Sequence, residues 1–202
     1  ERLWFPVFAL EWKDAASGDA MKGFKELGFL PEAFINMLAL LGWNDGTEKE
    51  IFTLDELVER FSLERIHSSG AKFDFEKAKW FNHEWIKKSS VERLKPDVKK
   101  ILEQKNITIS DENKFEKIIE LMKDRCVLLT DFWQHAGFFF ATPSRIDTSA
   151  ILPKWDGNKN QYFIKLIRAY SLMQSWDITD IEHTFKELAA ANHLKPGELM
   201  FA

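Results

Sequence analysis

Leu27-Gly28-Phe29-Leu30-Pro31-Glu32-Ala33-Phe34-Ile35-Asn36-Met37-Leu38-Ala39-Leu40-Leu41-Gly42-Trp43 carries its own helix boundaries. Pro31 stands where a first helical residue tolerates a missing N–H, Phe34, Leu38 and Leu41 recur on one face, and Gly42 is placed as a terminator. Outward toward the N terminus, Met21, Phe24 and Leu27 predict a short helix ending at Gly28. Ala15-Ala16-Ser17-Gly18 predicts a turn, and Phe5-Pro6-Val7-Phe8-Ala9-Leu10 a strand that Pro6 holds to an edge or a first position. In the other direction, Thr53-Leu54-Asp55-Glu56 is a capping box, opening a helix that turns Leu54, Leu57, Val58 and Phe61 inward. Ala71-Lys72-Phe73 reads as a brief extended piece, and Asp74 caps a helix through Phe75, Ala78, Phe81 and Trp85.

Past residue 90 the pattern shifts to longer helices. Ser89 and Glu92 pair as a capping box, and Pro96 interrupts the helix they open. Ser110 starts a long helix in which Phe115, Ile118, Met122, Cys126, Leu129 and Trp133 repeat at three and four residues, the stripe of a bundle. Thr142-Pro143 and Pro153 break the pattern. Tyr162, Leu166, Tyr170 and Met173 give another helical face, and Thr179 with Glu182 caps a last helix carrying Ile181, Phe185 and Leu188. The expectation is a mainly α chain: a small α+β fold over residues 1–90, then a helical bundle over residues 91–202.

The 202 residues are 45% hydrophobic and 30% charged, a globular composition. Eighteen Phe, eight Trp and two Tyr require large apolar faces to pack against. The single cysteine, Cys126, excludes an internal disulfide and a multi-cysteine zinc site, and fits a reducing compartment, the cytoplasm. No apolar run approaches the roughly 20 residues of a membrane span, and Glu1-Arg2-Leu3-Trp4-Phe5-Pro6 resembles no signal peptide. The five histidines form no His-Glu-x-x-His pair, and no phosphate-cradling glycine loop or Gly-x-Ser-x-Gly elbow occurs. No catalytic residue and no metal ligand is therefore assigned. Cys126, inside the apolar stripe, reads as a small hydrophobe.

Net charge is −4, against the basic balance of a general nucleic-acid binder, but its distribution is uneven. Residues 72–105 hold ten basic and six acidic side chains. Lys72, Lys77, Lys79, Lys87, Lys88, Arg93, Lys95, Lys99 and Lys100 form the cluster, with Trp80, Phe81 and Trp85 interleaved. Cations beside rings suit a phosphate backbone with stacked bases; the same pattern also describes a solvated helix face over a buried aromatic seam. A helical protein–protein interaction module is the alternative from a different functional class.

The opening stretch resembles the post-catalytic region of bacterial glutamyl-tRNA synthetases, which share its Gly-aromatic-Leu-Pro-Glu-Ala helix start and its Leu-Ala-Leu-Leu-Gly-Trp end. Glu50-Ile51-Phe52-Thr53-Leu54-Asp55-Glu56-Leu57 follows at the family's distance. So does Ala71-Lys72-Phe73-Asp74, with Lys77, Trp80, Asn82 and Ile86. Lys195-Pro196-Gly197-Glu198-Leu199-Met200 resembles the approach to the final anticodon-binding helices. Where the family often has Ser-Lys-Ser, this chain has His67-Ser68-Ser69, one basic group fewer. The resemblance implies a piece of a longer class I ligase: a stem-contact fold and a helical anticodon-binding subdomain, without the catalytic nucleotide-binding domain and incomplete at its C terminus. It implies tRNA(Glu) as partner, a monomer, and neither membrane nor DNA. It implies ATP and Mg²⁺ as cofactors of the parent enzyme, with none held by this piece. Lys72, Lys77, Lys79, Lys87 and Lys88 are then expected to contact the tRNA backbone, and Arg145, Lys165 and Arg168 to lie on the anticodon side.

Overall fold

The computed structural model describes residues 8–15, 18–67, 70, 72–142, 148–149 and 151–200. Strands β1 (Trp12–Lys13) and β2 (Ala20–Met21) pair antiparallel, Trp12 opposite Met21. Gly18 takes φ +75° in the turn between them, a conformation that favours glycine. The strand expected over residues 5–10 lies partly outside the described residues, and Phe8–Leu10 is a bend. Its carbonyls are drawn elsewhere: Phe8 O and Ala9 O accept the N–H groups of Phe24 and Lys25 at 3.0 and 3.1 Å, which start helix α1 (Phe24–Leu27). Phe73 does not continue a strand either.

Helix α2 (Pro31–Leu40) has Pro31 at its start, but its inward face is rotated from the expected one. Ala33, Asn36 and Met37 are buried while Leu38 is exposed. The cause is Asn36, whose Oδ1 accepts from Phe52 N (3.0 Å) and Trp85 Nε1 (3.1 Å) and whose Nδ2 donates to Glu50 O (3.0 Å). A buried amide with three such partners fixes the helix's rotation, because each broken bond would leave a desolvated polar group. Helix α3 (Leu54–Arg60) opens on the expected box: Glu56 N donates to Thr53 Oγ1 and Thr53 N to Glu56 Oε2. Of its expected inward face only Leu57 is buried, against Trp43 and Phe52; Leu54, Val58 and Phe61 are exposed.

Helix α4 (Phe75–Lys88) is capped by Asp74, which accepts from Glu76 N and Lys77 N. Helix α5 (Val91–Glu103) is capped by Ser90 rather than Ser89. Ser89 instead closes α4, its N–H and hydroxyl both donating to Trp85 O. Pro96 sits inside α5 without interrupting it. Its ring faces a cleft of about 570 Å³ lined by Phe24, Phe34 and Ile101, so the proline clash and missing bond are tolerated at an open flank. Helix α6 (Glu112–Met122) is capped by Asp111 rather than Ser110.

The long helix expected from Ser110 through Trp133 is interrupted. After α6 come a 3-10 turn at Lys123–Arg125 and an irregular stretch, before α7 (Asp131–Ala136). The stripe nevertheless stays inside: Phe115, Ile118, Met122, Cys126 and Leu129 are all buried. The break is stable because its backbone groups have other partners. Asp131 Oδ2 accepts from Val127 N and Leu128 N, Leu129 N donates to Gly28 O, and Asn82 Nδ2 donates to Val127 O.

Two compact units are formed, residues 1–143 and 144–202. In the first, the main core joins Leu30, Ile86, Leu94, Leu102, Phe115 and Phe132. A second cluster of Phe24, Phe29, Met37, Ala78 and Phe81 holds much of the ring excess. In the second unit, α8 (Gly157–Ser171), α9 (Ile178–Ala191) and α10 (Pro196–Leu199) close around Tyr162, Leu166, Ala189 and Leu199. The Tyr162 hydroxyl donates to Phe185 O at 3.1 Å. Asp177, not Thr179, caps α9. The chain is mainly α, as expected, and no helix among the described residues is long and apolar enough to cross a membrane.

Candidate nucleic-acid interface

Four of the five expected contact lysines stand on α4, and Lys72 precedes its cap. The helix turns Ala78, Asn82 and Ile86 inward, which with 3.6 residues per turn leaves Trp80 near the middle of the outward face. Lys77 and Lys88 lie to one side of it and Lys79 to the other. Lys87 and Lys88 close the last turn, where cations also complement the helix dipole. The face is held from beneath by Asn82, fully buried: Oδ1 accepts from Leu30 N (2.7 Å), and Nδ2 donates to Gly28 O (3.3 Å) and Val127 O (2.6 Å).

The basic cluster is largely matched by carboxylates that the chain brings from elsewhere. Lys77 pairs with Glu50, and its Nζ lies 4.9 Å from the Trp80 ring centre. Lys79 pairs with Glu76 at 2.9 Å and lies over Phe75; Lys87 pairs with Glu84 at 3.3 Å. Lys95 reaches Glu112 and Glu116, and Lys99 reaches Glu112. These bonds hold the Lys95 ammonium above its ordinary pKa and the Glu112 carboxyl below its own. Arg93 forks onto Glu32, Nε to Oε1 at 2.7 Å and Nη2 to Oε2 at 3.0 Å, and reaches Asp97 through Nη1. Lys72, Lys88 and Lys100 are exposed and make no ion pair among the described residues. Of the five expected contact lysines, Lys72 and Lys88 are the ones most available to a phosphate.

Of the expected anticodon-side residues, Lys165 and Arg168 are exposed on α8, three residues apart, and Lys165 donates to Asn192 Oδ1 at 2.7 Å. Arg145 lies outside the described residues. Sequence reasoning missed the polar organisers: Asn36, Asn82 and Asp131. Its signal for Asn82 was only its place in the family-like run. It also missed a groove of about 510 Å³ beside α4, lined by Glu76, Lys79, Trp80, His83, Val127, Leu128 and Asp131.

Residues 76–202 match the family described as the anticodon binding domain. The chain belongs to that family. Residues 14–80 also match the catalytic domain of the class I tRNA synthetases (E and Q). It is 37% identical over its whole length to a glutamate–tRNA ligase of Porphyromonas gingivalis, covering 40% of that protein. It is 40% identical over 200 residues to the glutamate–tRNA ligase of Flavobacterium johnsoniae, covering 39% of it. A crystal structure of a glutamate tRNA ligase from Elizabethkingia meningosepticum, in complex with its amino acid, superposes on 98% of this chain with TM-score 0.88 at 39% identity. The glutamate-tRNA synthetase of Elizabethkingia anophelis superposes with TM-score 0.77 at 37% identity. The chain spans about two fifths of the length of these relatives.

Proposed function

We propose that this chain is the tRNA-binding region of a glutamate–tRNA ligase, which holds tRNA(Glu) while the rest of the enzyme glutamylates it. The observation that carries the reading is the end-to-end match to glutamate–tRNA ligases together with α4, whose outward face presents lysines around an exposed tryptophan. A-form RNA is recognised by shape, through phosphates and 2′-hydroxyls, so a local row of cations suffices on an acidic chain. Lys72, Lys77, Lys79, Lys87 and Lys88 take the backbone near the inner corner of the tRNA, and Lys165, Arg168 and Arg145 face the anticodon side. This functional division near residue 90 is distinct from the compact units, because the core of the first unit runs across it.

ATP and Mg²⁺ serve the parent enzyme's activation of glutamate. Among the described residues no three His, Cys, Asp or Glu side chains are grouped to hold a metal, and this region's task is positioning. In this reading the ligase is a cytoplasmic monomer that acts without DNA or membrane. The test is binding of a tRNA(Glu) transcript across a salt series, for the native chain and for Lys77→Glu with Lys79→Glu. Weaker binding with a flatter salt dependence is expected. Unchanged affinity in the double variant, or no retention of tRNA by the native chain at low salt, overturns the reading.

A further inference from the structure

The geometry points to the groove beside α4 as a pocket for one unpaired base of the bound RNA, stacked on Trp80 with its amino edge turned to Asp131 and His83. This rests on the tRNA-binding reading and adds a ligand class to the groove that borders the phosphate row at Lys79. Trp80 is 38% exposed at the centre of the lysine-bearing face. With Val127 and Leu128 it supplies the apolar lining of the groove. A base stacks on such a ring whatever its identity, since every base has a π-face.

The polar lining decides against a phosphate in the groove itself. Glu76 and Asp131 both contribute to it, and Glu76 already engages Lys79, so an anion would meet two carboxylates and one committed cation. Acceptors, by contrast, are in supply. Asp131 spends Oδ2 on Val127 N and Leu128 N, leaving Oδ1 as a further acceptor. His83 Nδ1 lies 2.9 Å from Cys126 O; a carbonyl only accepts, so Nδ1 donates, and in the tautomer protonated there Nε2 is an acceptor. Acceptors over an apolar floor match the exocyclic amino group of adenine, cytosine or guanine. Lys77, Lys87 and Lys88 stand on the same helix and would supply the cations for the phosphates on either side of that nucleotide.

The test uses the tRNA(Glu) transcript with the 202-residue chain and with the full ligase, comparing the native sequence with Trp80→Ala, Trp80→Leu and Trp80→Phe. The expectation is a loss of about 10-fold in affinity for Trp80→Ala and Trp80→Leu, within the range for a stacked base, with an unchanged salt slope and with Trp80→Phe largely restoring binding. Dimethyl sulfate probing is expected to show one unpaired adenine or cytosine protected by the native chain and exposed with Trp80→Leu, which keeps an apolar side chain in place. Affinity and protection unchanged in Trp80→Leu, while Lys77→Glu with Lys79→Glu still weakens binding, overturns the pocket and leaves the tRNA-binding reading standing. Failure of the native chain to bind the transcript overturns both.

Discussion

Arg93 grips Glu32 with a two-point fork, Nε to Oε1 at 2.7 Å and Nη2 to Oε2 at 3.0 Å, tying the first turn of α5 to the first turn of α2 across 61 residues of sequence. The planar guanidinium matches the carboxylate in a way no ammonium can. Burial alone would raise the Glu32 pKa, but the Arg93 hydrogen bond and charge outweigh it and hold the carboxyl below its ordinary 4.5. A lowered acid pKa contributes stability that is present above the unfolded value and lost as pH falls through the folded one. The native chain is therefore expected to weaken below about pH 4.5. Arg93→Met should flatten that acid limb in urea midpoints taken from about pH 7 to about pH 3. Both side chains are about one-third exposed, so the loss near neutrality is expected at roughly 1 kcal/mol, with Arg93→Lys recovering only part of it.

Asn82 should be far more sensitive. Fully buried, it satisfies Leu30 N, Gly28 O and Val127 O at once. Asn82→Leu leaves Leu30 N and Val127 O without a partner, while Gly28 O keeps Leu129 N, at about 1–3 kcal/mol for each group left unsatisfied. Equilibrium urea unfolding is expected to show a loss of at least about 2 kcal/mol. A loss under about 1 kcal/mol would mean that water replaces the amide.

Cys126 offers a reporter. It is the only cysteine, fully buried, its Sγ–H donating to Met122 O at 3.4 Å. Burial, helped by the charge of Asp131, pushes its thiol up to about 12 from 9.0. Since the thiolate is the reactive form, disulfide reagents at mildly alkaline pH should label native protein only through opening of the α6–α7 core. The labelling rate is expected to rise with urea in step with the loss of helix signal. Because the folded pKa lies above the unfolded one, folding stability falls as pH rises from 9.0 toward 12.

Lys72 and Lys88 should carry more of the salt dependence of RNA binding than Lys77. A cation already paired with a carboxylate gives up that pair when it takes a phosphate, and so yields little net counterion release. Replacing Lys72 and Lys88 by Ala is expected to lower the slope of log K against log salt by about 1 each. Lys77→Ala, which strands Glu50, should lower affinity with a smaller change in slope. Filter binding over a salt series measures both.

Punctuation was the legible part of this fold. Pro31, the Thr53–Glu56 box and the Asp74 cap mark helix starts through short-range bonds that a sequence displays openly. Where two candidate caps sit side by side, the choice depends on what each does next: Ser89 was needed to close α4, so Ser90 opens α5. Burial was less legible, because an apolar stripe records a period and not its cover. Leu54, Val58 and Phe61 keep helical spacing yet stay exposed: Leu57 is buried against Trp43 and Phe52, whereas Phe61 lays its ring beside Trp43, 5.6 Å between centres, with nearly half its surface in solvent. The α6–α7 stripe stayed buried although its helix broke, because the partners that make the break stable, Gly28, Asn82 and Asp131, are scattered over a hundred residues. At the candidate site the lysines were visible as a run, whereas the carboxylates that pair with them, Glu50 above all, come from other segments.

The two family matches overlap at residues 76–80, inside α4 and not in a linker. Ala78 and Phe81 on that helix belong to one cluster of the core, and Ile86, a turn further on, belongs to the other. Recombination at this border would hand one parent's helix to another parent's walls on both sides at once. A chimera joined at that border is thus expected to lose stability through both clusters at once, because α4 is their shared timber.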